Sequence, residues 1–179
     1  DSLLPVTTSI EQCWAEDNAE VWINGGWKKL ESRQTFVQKG LRVLHGQKGY
    51  IIPEGQCVAE VENRTGRWND IMQIYREQTE EGKVFSLYMN HGTRPSGASH
   101  QYYILPQADR KAVERFSTDD LKIMTNTEKM QVVHVAKEDA WWIAAWKEGT
   151  CTLGSSLRVD VLTPGLYCIK RQGNSYQIL

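Results

Sequence analysis

Several common signals are missing from this chain of 179 residues. No apolar run approaches the roughly 18 residues of a membrane span. Twenty-one basic residues stand against 22 acidic ones, a net charge of -1. That balance argues against a general attraction to nucleic acid or to anionic membranes, and neither is expected as a partner. The start, "DSLLPVTTSIEQ", has no basic region and no long apolar core, so it does not read as a signal peptide; a mature chain could have lost one. Cysteine is sparse: Cys13, Cys57, Cys151 and Cys168. No two are spaced C-x-x-C, which excludes a zinc ribbon or a thioredoxin-like motif. Buried free thiols are the ordinary reading of such residues. If a disulfide forms, Cys151 and Cys168, flanking a possible hairpin, are the expected pair.

Catalytic signatures are also absent. There is no G-x-S-x-G elbow. "NGGW" is a turn without the lysine and helix of a phosphate loop, and no H-E-x-x-H pair appears. No spacing singles out two carboxylates of a hydrolase. No cofactor or metal is expected. Asn63-Arg64-Thr65 matches a glycosylation sequon, a weak pattern.

What is present is strand. "TTSIEQCW", "AEVWIN", "LRVLHG", "KGYIIP", "QCVAEVE", "VFSLYMNHG", "QYYILP", "LKIMTNT", "MQVVHVA", "AWWIAAW", "LRVDVL" and "GLYCIKR" are short and rich in β-branched and aromatic residues. Gly, Pro, Asn or Asp bound them. Alternation in "LKIMT" places Leu121, Ile123 and Thr125 on one face, with Lys122 and Met124 on the other. Turns every eight to twelve residues favour antiparallel sandwiches. Helix is scarce. "GRWNDIMQIYREQ" carries Trp68, Ile71, Met72 and Tyr75 at helical spacing, with Asn69 available as cap, and reads as a short helix or an irregular excursion; a polar turn, "TEEGK", follows. "ADRKAVERF" is the second helical candidate and marks a boundary near Arg115 to Thr118. The expected architecture is all-β: an antiparallel sandwich over residues 1–115, then a small β-domain over 116–179.

The densest polar stretch is "HGTRPSGASHQYYILP", His91 to Pro106. His91, Arg94 and His100 make it a candidate catalytic loop. The bland reading is two antiparallel strands joined by a loop. His45 and His91 each precede a glycine at a strand end, where a histidine commonly donates to a backbone carbonyl. His134, in register with Met130 and Val132, reads as a satisfied core histidine. Seven tryptophans are many for this length. Exposed indoles on a sheet bind sugars, although filling a core is their more frequent role. Trp22, Trp27, Trp141 and Trp142 are the candidate stacking platforms. Arg64, Arg67 and Arg94 are candidate anion contacts, with solvated arginines as the plain alternative.

Five segments, in order, carry a resemblance: "TTSIEQC", "LHGQKGYIIP", "NHG" followed by a loop and "YYILP", "LKIMTNTEKMQVVHV", and "WWIAAWKEGT". Together they resemble the C-terminal β-region of the polysaccharide lyase family that includes chondroitin AC, chondroitin ABC, hyaluronate and xanthan lyases. Gly46, Gly49 and Gly92 in these segments suit turns or bulges. The resemblance implies that residues 1–115 belong to a larger super-sandwich and that 116–179 form a small C-terminal β-sandwich, truncated at its end. It implies a parent enzyme with an N-terminal α/α toroid, acting by β-elimination on an acidic, uronate-containing polysaccharide. A Tyr serves there as base and acid, an Asn or His neutralises the carboxylate, and Arg and Glu assist. Those residues belong mainly to the toroid. The resemblance therefore carries no catalytic residue onto this chain, leaves its substrate-binding residues unassigned, and implies no metal. The chain is expected to be an accessory fragment, inactive alone, of a secreted or periplasmic bacterial enzyme. The alternative is a stand-alone carbohydrate-binding sandwich. Two or more coplanar exposed indoles favour the module; buried indoles favour the bracing role.

Overall fold

A computed structural model describes residues 2–37, 39–72, 79–154 and 157–179. The chain divides into two compact units, Asp1–Phe116 and Ser117–Leu179.

The first unit is two antiparallel sheets. One has the order β1-β8-β7-β4, from Pro5–Trp14, Thr79–Thr93, Gln56–Arg67 and Gln34–Phe36. The other has the order β3-β2-β5-β6-β9, from Gly26–Lys29, Glu20–Ile23, Leu41–His45, Lys48–Ile52 and Tyr103–Pro106. Alternation explains the packing. Phe85, Leu87 and Met89 recur every second residue of β8 and are buried, as are Cys57 and Ala59 of β7. They meet Val21, Val43, Tyr50 and Ile52 from the second sheet in one apolar cluster. Two half-apolar sheets bury their inner faces in this way.

The stretch from His91 to Pro106 is not a hairpin. β8 pairs with β1 and β7, whereas β9 pairs with β6 in the opposite sheet. The expectation of two strands held together is corrected: this loop carries the chain from one sheet to the other. The apolar alternation in "FSLYM" and in "YYILP" satisfies either arrangement, so local pattern did not separate them.

Helix α1, Arg110–Arg115, forms where "ADRKAVERF" predicted it, with the Asp109 carboxylate accepting from the Ala112 N–H at 2.7 Å. An N-cap of this kind satisfies a backbone donor that the helix cannot. Val113 of α1 is buried with Ala108 and Leu44. Gly49 lets the helix approach: a Cβ there would lie 2.4 Å from Val113 Cγ2. Gly49 thus serves close packing, not a turn. The "GRWNDIMQIYREQ" segment takes the irregular alternative in its described part. Trp68–Asp70 is one 3₁₀ turn, entered through Arg67 with no side-chain cap, and Ile71 and Met72 are exposed; Tyr75 lies outside the described residues. Thr79 to Lys83, expected as a turn, is strand, because the β7–β8 ladder extends to the pair Arg67–Thr79.

The second unit has a five-stranded sheet, β10-β11-β12-β15-β16. Its strands are Leu121–Asn126, Met130–Val135, Ala140–Ala145, Gly165–Gln172 and Ser175–Ile178. A two-stranded sheet joins β13, Gly149–Leu153, to β14, Leu157–Val161. Val132, Trp141, Ile143 and Ile169 on one face of the larger sheet cluster with Cys151, Leu153 and Val161 of the smaller. The simple alternation expected for "LKIMT" is broken by a register shift between Ile123 and Thr125. The extra residue rotates the strand, so Met124 packs against the core and Ile123 is exposed.

All four cysteines are free. Cys151 faces the core, whereas Cys168 pairs with Trp142 on the other face of the larger sheet. Their positions on opposite sides of β15 rule out the expected pair.

Candidate functional site

Two polar clusters in the first unit hold the groups with chemical potential. The first sits between the sheets, under β1. Bulge geometry near Ile10 shifts the register of β1 between Ser9 and Glu11, and Glu11 and Cys13 then face β5 and β6. Glu11 Oε2 accepts hydrogen bonds from Lys48 Nζ and Tyr50 Oη, each at 2.8 Å. His45 Nε2 accepts from the Glu16 N–H at 2.8 Å, so the ring proton resides on Nδ1, 3.8 Å from Cys13 Sγ. The ring stacks on Phe85 with centroids 4.1 Å apart. Asn18 closes the turn beneath, accepting from the Gly46 N–H and donating to the Gly46 carbonyl. The expected role of His45 is therefore corrected in detail: it accepts from a backbone N–H instead of donating to a carbonyl.

The electrostatics oppose catalysis. Burial, then the Glu11 carboxylate, hold the Cys13 thiol above its usual value. Burial and the Glu11 hydrogen bond raise the Tyr50 phenol strongly. Burial lowers His45, against opposing Glu16. Burial pushes Glu11 up, but hydrogen bonds from Lys48 and Tyr50 outweigh it and the carboxyl lies lower than usual. A nucleophilic cysteine needs a lowered pKa, and a tyrosine base needs the same. Here the thiol and phenol stay protonated and the imidazole neutral, so the cluster is a structural node.

Its linkage to stability has a definite sign. The lowered His45 value means that the unfolded chain binds the proton first as pH falls below about 6.5. Stability is then lost through that window, because the unfolded state holds more protons. Glu11, also lowered, adds a loss at more acid pH, through values below 4.5. Unfolding free energy measured in urea should fall between pH 7 and 5, and His45→Gln should flatten the slope. An unchanged slope would contradict the burial of a neutral ring.

The second cluster lies on the crossing loop. His91 Nε2 is 2.8 Å from Thr8 Oγ1. Its ring lies 5.6 Å from that of His100, which stacks at 6.2 Å on Tyr102. Gln101 bonds the Tyr103 hydroxyl, and Tyr103 packs on Phe116 at 5.4 Å. Arg94 is exposed, takes a left-handed backbone (φ 55°), and its N–H reaches the Leu4 carbonyl at 3.4 Å. The structure thus brings His91 and His100 together, bound to β1 by Thr8. The rings pin the loop to both sheets.

The remaining candidates have structural partners. Arg64 pairs with Glu62 at 2.7 Å and Arg67 with Asp70 at 2.9 Å. Trp22 and Trp27 meet edge to face at 5.5 Å, 69° between planes, and Trp27 Nε1 donates to Glu114 on α1 at 2.6 Å. Trp141 is buried. His134 is half-buried, not fully in the core: it stacks on Trp141 at 4.6 Å, and its Nε2 has no hydrogen bond but lies 3.6 Å from Asp139 Oδ1. Among the described residues no three His, Cys, Asp or Glu side chains converge as metal ligands, and no helix is long and apolar enough to cross a membrane. A cavity of about 320 Å³ beside Glu16, Asp17, Lys29, Glu31 and Lys83 mixes both signs of charge over Leu30 and Val61. It contains no histidine or tyrosine to move a proton.

Fold and clusters define an all-antiparallel, two-unit β protein whose reactive side chains are tied into its framework. Comparison with known proteins gives the family. Residues 2–117 match the polysaccharide lyase family 8 super-sandwich domain, and residues 122–179 match the family's C-terminal beta-sandwich domain. The chain belongs to polysaccharide lyase family 8 and represents its C-terminal region. It is 29% identical to the Chondroitinase-AC of Pedobacter heparinus over 132 residues, which span 72% of this chain and 19% of that protein. It is 33% identical to a Hyaluronate lyase of Thermasporomyces composti over 95 residues, 51% of this chain and 12% of the other. A solved chondroitinase AC lyase superposes with TM-score 0.85 at 24% identity, covering 97% of this chain and 26% of that one. A Paenibacillus xanthan lyase gives 0.79 at 20% identity, covering 97% and 18%. These last two likenesses concern the fold. The chain spans about a fifth of the length of its Pedobacter relative.

Proposed function

We propose that this chain is the accessory β-portion of a lyase that cleaves uronic-acid-containing polysaccharide by β-elimination. It braces an N-terminal α/α toroid of the same protein, shapes one wall of the cleft, and does not turn over alone. Residues 1–115 are then the C-terminal part of the central sandwich and 116–179 the small terminal domain. A secreted or periplasmic bacterial location belongs to the same reading. The observation that carries it is the pairing of two family domains in series; burial, which raises the Tyr50 phenol and Cys13 thiol and lowers the His45 imidazole, accords with it. Three of the four candidate tryptophans accord with bracing: Trp141 is core, and Trp22 with Trp27 forms a half-buried edge-to-face pair. Trp142, the fourth, is exposed.

The test is direct. Given chondroitin sulfate or hyaluronan, the isolated chain should produce no rise in ultraviolet absorbance from unsaturated uronate. Measurable turnover would overturn the reading and return attention to His91, Arg94 and His100.

A further inference from the structure

The larger sheet of the second unit buries one face in the core; the other is exposed at Trp142, Trp146 and Leu166, while the small Ala140 and Cys168 on it are buried. Register fixes which side chains share this second face. Val133, Trp142 and Cys168 are direct partners across three strands. Gln131 and Leu166 flank Ala144 in the next row. Trp146, just beyond β12, turns onto the same face, because its Nε1 donates to Gln131 Oε1 at 3.0 Å. Trp142 is 52% exposed, Trp146 62% and Leu166 81%. Among the described paired positions of this face, Lys170 is the one charged residue and no carboxylate occurs.

We infer that this face is an accessory glycan-holding surface, taking a uronate-containing polysaccharide along Trp142 and Trp146. This rests on the polysaccharide reading above and adds to it a site distant in kind from the chemistry. An indole presents a flat, electron-rich face to the polarised C–H groups on one side of a pyranose ring, and its N–H serves as a polar handle. The two tryptophans are four residues apart, a span of at most about 14 Å, so two rings of one chain can be engaged together. Gln131 fixes the Trp146 ring through its carbonyl oxygen, which leaves the amide N–H groups to donate to hydroxyls or a carboxylate. Charge complementarity selects the polymer: an acidic chain meets the Lys170 ammonium and no opposing carboxylate.

The experiment is affinity electrophoresis of the 179-residue chain in gels containing chondroitin sulfate, hyaluronan or neutral dextran, with light scattering on the same samples. Expected is retardation by the two acidic polymers and none by dextran. Trp142→Ala and Trp146→Ala should each weaken apparent affinity roughly three- to tenfold, with the double variant running freely at an unchanged melting temperature. Trp14→Ala, removing an exposed indole of the first unit, should change nothing. Absence of retardation, or retardation that survives the double substitution, overturns the glycan surface. So does self-association of the chain that the double variant abolishes, since the face then belongs to a second copy. None of these results touches the accessory reading, which turnover alone decides.

Discussion

Phe85→Ala is expected to lower the unfolding free energy by about 3–5 kcal/mol, the range for deleting a buried aromatic. Phe85 is fully buried at the centre of β8. One face carries the His45 ring at 4.1 Å, and Tyr50 lies 6.3 Å away. The truncation therefore opens a cavity between the apolar cluster and the polar node. The node would lose the wall that keeps His45 neutral and the Tyr50–Glu11 bond dry. Phe85→Leu should cost distinctly less, because it retains most of the volume. Urea unfolding of both variants at pH 7 is the measurement. A loss below about 1 kcal/mol for the alanine variant would mean that Phe85 is not the partition between apolar core and polar node.

This node shows what the sequence revealed and what it concealed. "LHGQKGY" stood out, and His45 with Gly46 was expected to close a turn. The partners that decide its chemistry come from β1: Glu11 lies 37 and 39 positions from Lys48 and Tyr50. Nothing local brings such residues together; the sheet topology does. The loop of His91 to Pro106 failed for the same reason. Alternation identifies a strand but not its sheet, and antiparallel strands close in sequence usually pair. Here the segments enter opposite sheets.

Three of the strands that escaped detection, β3, β4 and β16, share a physical cause; another, β13, Gly149–Leu153, does alternate but is only five residues long. β16 is exposed at every position, and β3 reads "GWKK" with two exposed lysines. Edge strands bury little, so they carry no apolar period, and charge on an edge guards against further pairing. β4 is three residues long. Central strands such as β5, β8 and β12 carry the buried apolar residues that made them legible as written. In "LKIMT" the period itself misled, because a bulge rotates the strand by one residue without altering composition. For the open face of the second unit, the missing signal was the sign of alternation. "AWWIAAW" announces aromatic strand but does not say which tryptophan faces the core.

Trp141→Ala should therefore destabilise as strongly as any substitution in the second unit, by about 3–5 kcal/mol, while its neighbour Trp142→Ala should cost under about 1 kcal/mol. Trp141 is 4% exposed and Trp142 52% exposed. Adjacent residues of one strand point to opposite faces. Trp141 stacks on His134 at 4.6 Å and leans on Tyr176 at 6.2 Å, and it clusters with Val132, Ile143 and Ile169. Its indole Nε1 is buried without a hydrogen-bond partner, so its contribution is apolar packing. Trp141→Phe removes that unsatisfied donor along with some volume, and the two effects oppose each other. The phenylalanine variant should consequently retain well over half of the stability that the alanine variant loses. Thermal denaturation of the three variants, followed by near-ultraviolet circular dichroism, separates these outcomes. Equal losses at Trp141 and Trp142 would place both indoles in the core, and the open face of β12 would lose its platform.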